Sequence, residues 1–250
     1  MSEILSRADG RNYDALRPIT IETKIQRNPE GSVMITCGGT KVLVSASVEE
    51  GVKDFLRGSG KGWITAEYAM HPRANPERQR RERQPGGRTQ EIQRLIGRAL
   101  RASVNLDKLG ERTIHIDCDV LDADGGTRTT SVTGGYVALV LALDLLRKKG
   151  SLNPGILRDP VAAVSVGLVS GKALLDLCYT EDSTCQVDFN LVATSAGDII
   201  EVQGTAEGAP MTRAEHDLLV ERGLHGIRTL VPLQLAAIEQ AGVDIARLRA

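Results

Sequence analysis

Aromatic side chains are scarce, with two Phe, one Trp and four Tyr in 250 residues. The core must therefore be built mostly from Val, Leu, Ile and Ala, and the scarcity argues against aromatic base-stacking platforms of the single-strand-binding type. Net charge is also nearly absent, at −1 formally. Any basic surface must be local, because the chain as a whole does not attract a polyanion. Cys37, Cys118, Cys178 and Cys185 form no CxxC pair, and His71, His115, His216 and His225 form no HExxH. A zinc centre is not expected, and the thiols read as reduced residues of a cytoplasmic protein. Met1 to Arg11 is polar, with no apolar segment of the secretory kind, and no apolar run suggests a membrane partner.

Against these absences stands one dense stretch, Asp122-Ala-Asp-Gly-Gly-Thr-Arg-Thr-Thr-Ser131. It closes an alternating run, Thr113–Leu121, and opens an apolar one, Val137–Leu146. The first pattern predicts a strand and the second a helix buried between sheets. A helix start has unpaired N–H groups and partial positive charge. Gly125 and Gly126 allow close backbone approach, Arg128 adds a planar charged fork, and hydroxyls surround it. The junction is suited to an anion. Gln84-Pro-Gly-Gly-Arg88-Thr repeats the design, because the run Ile92, Leu95, Ile96, Ala99, Leu100, Val104 after it has helical spacing. Two helix-start arginines suggest one oxyanion held between them.

Residues 71–101 hold nine arginines against three glutamates, a local charge of +6. Prolines and glycines from His71 to Gly87 predict a long loop that carries Arg73, Arg78, Arg80, Arg81 and Arg83. Arg94, Arg98 and Arg101 share one face of the helix that follows. The stretch reads either as a solvated face or as a surface for RNA or another polyanion.

An acidic cluster, Asp176, Glu181, Asp182 and Asp188, follows later in the chain. Asp182 and Asp188 meet at one Mg²⁺ only if the chain turns at Ser183-Thr184-Cys185; otherwise they belong to a solvated turn. Gly58-Ser-Gly-Lys-Gly62 is not a nucleotide loop, since Lys61 is followed by glycine and the earlier glycine is missing. A small-molecule phosphotransferase would need a phosphate loop that the chain lacks.

The order of elements gives an α+β fold with mixed β-sheets and covering helices. Expected strands are Ile19–Gln26, a hairpin of Ser32–Cys37 with Thr40–Val48, Trp63–Met70, Val161–Val169, Lys172–Tyr179, Asp188–Thr194 and Ile199–Thr205. Thr212-Arg-Ala-Glu215 opens a helix expected to end near Gly223, with a separate last helix after Pro232. The two hairpins hint at a duplicated ββα unit. Residues 1–18 read as a polar arm. Residues 1–250 read as a single domain, with phosphate and arginine-rich elements in 1–150 and the acidic pair in 151–250.

Four segments together resemble the ribonuclease PH family over nearly the whole chain. They are Gly60-Lys-Gly-Trp-Ile-Thr-Ala-Glu-Tyr68, Gly86-Gly-Arg-Thr-Gln-Glu-Ile-Gln-Arg-Leu-Ile96, Asp117-Cys-Asp-Val-Leu-Asp-Ala-Asp-Gly-Gly-Thr-Arg-Thr129 and Glu201-Val-Gln-Gly-Thr-Ala-Glu-Gly208. The resemblance implies a ribosomal protein S5 domain 2-like fold and a homohexamer arranged as a trimer of dimers. It implies phosphate-dependent 3′ trimming of tRNA precursors. It assigns inorganic phosphate to Arg88, Gly126, Thr127 and Arg128, and Mg²⁺ and catalysis to Asp182 and Asp188. The arginine-rich loop matches the family's RNA-contacting loop. Related polynucleotide phosphorylases carry a lysine where this chain has Asn190. A non-catalytic RNA-binding ring subunit is the alternative; retention of Arg88, Arg128, Asp182 and Asp188 weighs against it.

Overall fold

The computed structural model describes residues 7, 9–81, 84–152 and 154–249. Two sheets face each other across helices. The first contains β1 (Ile19–Thr23), β2 (Gly31–Cys37), β3 (Thr40–Glu50), β4 (Trp63–Met70) and β5 (Arg112–Asp122) in the order β1-β2-β3-β5-β4. Its neighbours are antiparallel except β4 and β5, which run parallel. A parallel pair requires a crossover, and α1 (Gly87–Ala102) with the short α2 (Leu106–Leu109) provides it. The second sheet, β6 (Val161–Val169), β7 (Lys172–Leu175), β8 (Val187–Thr194) and β9 (Ile199–Ala206), has the order β7-β6-β8-β9 and is antiparallel throughout.

α3 (Thr127–Lys148) lies between the sheets, packed on β2 and β3 on one side and β6 on the other. From Thr129 to Leu146 only Leu145 escapes full burial, as expected for a sequence apolar on all sides. Although no apolar run suggested a membrane span, α3 is long and apolar enough for one; 94 % of the relevant window is buried inside the fold, so it is a core helix. α1 covers β4 beside α3, and α5 (Arg213–Gln240) covers the other face of β6, β7 and β8. Each sheet thus has a hairpin and a long helix, the pattern of a repeated unit. The last pairing differs, since β8 and β9 are antiparallel where β5 and β4 are parallel.

Three expectations change. Residues expected as a strand through Tyr179 leave the sheet after Leu175 and form a turn and a short helix, α4 (Tyr179–Asp182). Asp176, at φ 55°, is where the chain departs. The two helices expected around Pro232 are one 28-residue helix. Pro232 and Arg228 are both on the exposed side, so the carbonyl that Pro232 leaves unpaired meets water, while buried Leu230, Val231, Gln234 and Ala237 hold the helix to the core. The polar arm is not simply solvated: Arg7 and Arg17 are buried, at 3 % and 4 % exposure.

Candidate active site

Three junctions converge at one end of the sheets: β4 to α1, β5 to α3, and β7 through α4 to β8. They enclose a cleft of about 1000 Å³. Arg88, Gly126, Thr127, Arg128, Asp182 and Asp188 all line it, as do Arg80 and Arg81. Arg73 and Arg78 are exposed but do not line it, and Arg83 lies outside the described residues.

The two arginines occupy equivalent places. Gly86 caps α1 and Gly126 caps α3, so Arg88 and Arg128 are each the second helical residue. Gly126 is left-handed, at φ 63°, and provides no side chain to cap α3. The first-turn N–H groups of α3 are therefore left for a ligand. Gly125, at φ 75°, presses against the acidic segment: a Cβ there would sit 2.5 Å from the Leu177 carbonyl oxygen. Only glycine lets the anion loop and that segment touch. The hydroxyls expected to assist are divided. Thr129 and Ser131 donate back to the Gly126 and Thr127 carbonyls, at 2.9 and 2.8 Å. Thr127 stays at the cleft, its Oγ1 accepting from the Tyr68 hydroxyl at 2.9 Å.

Arg128 is aimed by residues that the sequence reading gave no role. Its Nη1 donates to Gln203 Oε1 at 2.7 Å and lies 3.4 Å from Glu91 Oε2. Gln203 in turn donates to Glu91 Oε1 at 2.6 Å. Arg98 is taken up by a two-pronged pair with Glu201, at 2.8 and 2.7 Å. Arg101 donates to the Ile64 carbonyl at 2.8 Å and covers the Trp63 ring. The α1 arginine face is thus partly spent on internal contacts.

The acidic cluster separates by partner. Asp176 receives Arg17 Nε at 3.0 Å, Arg17 Nη2 at 2.7 Å and the Arg17 backbone N–H at 2.7 Å. Glu181 receives Arg7 at 2.8 and 2.7 Å. Asp182 and Asp188 remain at the cleft. The chain does turn between them: Ser183 N–H donates to the Tyr179 carbonyl at 2.9 Å and Gln186 N–H to Leu168 at 2.7 Å. In β8, Asp188 and Asn190 face the cleft while Phe189 and Leu191 face α5, the period-two alternation of a strand. Asn190 Nδ2 donates to Asp188 Oδ1 at 3.2 Å.

Burial pushes the Asp188 carboxyl above its ordinary range, and the charge of Asp182 adds to the rise. Burial likewise raises Asp182, against the pull of Arg88, Arg128 and Arg17. Two carboxylates that repel each other, with hard oxygen donors and open cleft on one side, suit Mg²⁺, which binds through one or two carboxylates and completes its shell with water and phosphate oxygens. Among the described residues no group of three or more His, Cys, Asp or Glu makes a self-contained metal cage.

The raised values predict a cost at neutral pH. A carboxyl with a folded-state pKa above its unfolded value destabilises the fold wherever it is ionised, and relieves it as pH falls through that value. Asp188→Asn keeps the acceptor for Asn190 and removes the repulsion. Without divalent cations at pH 7 its melting temperature is expected to rise by about 2–4 °C for each ~1 kcal/mol relieved. A fall measured by calorimetry in chelator would contradict the repulsive pair.

The 3′ exoribonuclease family, domain 1, matches residues 15–143, and its domain 2 matches residues 159–222. A ribonuclease PH from Crocosphaera subtropica is 58 % identical over 236 residues, which cover 94 % of this chain and 98 % of that protein. The chain belongs to the ribonuclease PH family. The solved structures it resembles share the fold at low identity. Rice Rrp46 superposes with a TM-score of 0.76 at 21 % identity, over 93 % of this chain and all of Rrp46. A chain of the Archaeoglobus fulgidus exosome with RNA bound to the active site gives 0.76 at 22 %, over 91 % and 92 %. These neighbours have the ribonuclease PH-like, S5 domain 2-like fold that the resemblance implied; three of the four resembling segments line the cleft, and the fourth provides Gln203, which holds Arg128.

Proposed function

We propose that this cleft performs phosphorolysis at RNA 3′ ends, with Arg88 and Arg128 holding the attacking phosphate. Membership of the ribonuclease PH family makes the chain a phosphate-dependent 3′-to-5′ exoribonuclease of tRNA processing, a nucleotidyltransferase acting on RNA. The observation that supports the assignment of roles is the meeting of two glycine-capped arginine helix starts with the Asp182–Asp188 carboxylate couple in one cleft.

Arg88, Arg128, Thr127 and the N–H groups after Gly126 orient inorganic phosphate toward the last phosphodiester. A phosphate oxygen bonds to that phosphorus as the bond to the penultimate 3′-oxygen breaks, and the last nucleotide leaves as a nucleoside diphosphate. The proton needed by the departing 3′-oxygen comes from the attacking hydrogen phosphate, and Asp182, which lines the cleft, is placed to relay it. Mg²⁺ held by Asp182 and Asp188 would neutralise charge on the transferring group. The remaining work is positioning. We read residues 1–250 as one domain, because the phosphate elements of 1–150 and the acidic pair of 151–250 complete one site. A homohexamer, a trimer of dimers, is the assembly that the family resemblance implies, and a cytoplasmic place accords with the four unpaired cysteines.

Arg73, Arg78, Arg80, Arg81 and Arg83 are proposed to contact RNA, Arg80 and Arg81 from the cleft wall itself. Changing each of the last two to alanine is expected to flatten the log–log salt dependence of RNA binding by about 0.7 per lost phosphate contact. An unaltered slope would remove that arginine from the RNA path. The reaction should also run backward. Given RNA, Mg²⁺ and nucleoside diphosphate, the protein should extend the 3′ end and release phosphate; a hydrolase leaves the RNA unextended under these conditions.

A further inference from the structure

Only seven aromatic residues are present, and among the described residues the two that stay largely exposed are Phe55 and Tyr179, at 66 % and 62 %. Phe55 is accounted for: its ring meets Trp63 edge-on at 5.5 Å, away from the cleft. Tyr179 lines the cleft, and neither its ring nor its hydroxyl has a partner among the described residues. A tyrosine at that exposure contributes little to the core. Its base is nonetheless rigid. The Tyr179 N–H donates to Asp124 Oδ1 at 3.0 Å, next to the anion loop. Glu181, two residues on, is clamped by Arg7 and also accepts the Cys178 N–H at 3.2 Å. Tyr179 begins α4 and Asp182 ends it, so the two lie three positions apart on one helix face.

A flat aromatic face, fixed beside the carboxylate couple and open to the cleft, matches one remaining need of the reaction. The phosphate elements grip the attacking group and Asp182 faces the scissile phosphodiester, but none of these holds the nucleoside that leaves. We propose that Tyr179 is the stacking platform for the base of the 3′-terminal nucleotide, a substrate-positioning residue of the site. Every base offers a π face, so one tyrosine serves an exonuclease that must remove any nucleotide it meets. The ring does the work and the hydroxyl is dispensable. The proposal rests on the phosphorolytic reading above.

Steady-state phosphorolysis of a short single-stranded oligoribonucleotide separates the possibilities, with RNA and phosphate varied independently for wild type, Tyr179→Phe and Tyr179→Ala. Tyr179→Ala is expected to raise KM for RNA about tenfold or more, the ~1–3 kcal/mol of one base stack at 1.4 kcal/mol per decade. KM for phosphate should stay unchanged, and Tyr179→Phe should behave as wild type. An oligonucleotide ending in 2-aminopurine, bound without phosphate and with chelator, should be quenched by wild type and Tyr179→Phe but not by Tyr179→Ala. Unchanged KM for RNA in Tyr179→Ala, an equal rise in both KM values, or loss of the assembly on light scattering would overturn the stacking role. Failure of the wild type to phosphorolyse at all would instead overturn the functional reading.

Discussion

Arg128→Ala is expected to raise KM for phosphate by about a hundredfold while leaving KM for RNA nearly unchanged. The guanidinium is only 15 % exposed, sits at the second position of α3, and is held by Gln203 at 2.7 Å. Hydrogen bonds to charged groups contribute about 1.5–3 kcal/mol each, and a fork that makes two of them to one phosphate accounts for the size of the effect. Arg128→Lys should recover only part, because an ammonium offers a point charge in place of a planar pair of donors. Gln203→Ala removes the group that aims the fork but not the charge, so a smaller rise in the same constant is expected. Kinetics with phosphate as the varied substrate would show it. Unchanged phosphate dependence in Arg128→Ala would take this residue out of the anion site and, with it, the parallel between the two helix starts.

The second large effect is expected away from the reacting atoms. Arg17 bonds Asp176 on three sides, and its Nη1 donates to the Asp124 carbonyl while Nη2 lies 3.4 Å from that of Gly125. Thr40 Oγ1 also donates to Gly125, at 2.6 Å. One buried side chain therefore ties the anion loop to the turn that leads into α4 and Asp182. Removing one partner of a buried pair strands the other, at a cost of about 3–5 kcal/mol. For a chain of this size Arg17→Ala should lower the melting temperature by about 10 °C or more. Asp176→Asn, which keeps the shape, should cost less stability yet still reduce kcat, because the phosphate and carboxylate elements lose their common anchor. A melting temperature within a degree or two of wild type in Arg17→Ala would contradict the anchor.

The same pair sets an acid limit. Burial alone would raise Asp176, but the Arg17 hydrogen bonds outweigh it and hold its carboxyl below the ordinary value of 3.8. Glu181 is lowered in the same way, burial being outweighed by Arg7. A depressed folded-state pKa stabilises the fold above the unfolded value, and that contribution is lost as pH falls through the folded one. Stability should therefore drop below about pH 4. The Asp176→Asn variant, already without the charge, should show a shallower drop.

Local patterns made much of this site legible from sequence. A Gly-Gly-Arg or Gly-Gly-Thr-Arg before a helical run places an arginine at a helix start whatever the rest of the chain does, and both arginines appear there. The buried α3 was readable because its sequence is apolar on all sides. What escaped reading depends on single residues meeting across the chain. Arg17 and Asp176 are 159 positions apart, Arg7 and Glu181 are 174 apart, and Glu91 meets Gln203 at a separation of 112. No periodicity marks such pairs. In the acidic cluster the family resemblance singled out Asp182 and Asp188, but only packing showed that two arm arginines pair with Asp176 and Glu181 while Asp182 and Asp188 line the cleft. Pro232 misled because the rule that proline ends a helix assumes a carbonyl with nowhere to turn, and in α5 that carbonyl faces water.

The most direct measurement is the digestion of an end-labelled RNA with and without inorganic phosphate, with the released nucleotides identified by chromatography. Nucleoside diphosphates that appear only with phosphate, and in proportion to it, are expected of an anion site that supplies the nucleophile. Nucleoside monophosphates released without phosphate would mean that water attacks, and would contradict the role of Arg88 and Arg128 as holders of the attacking phosphate.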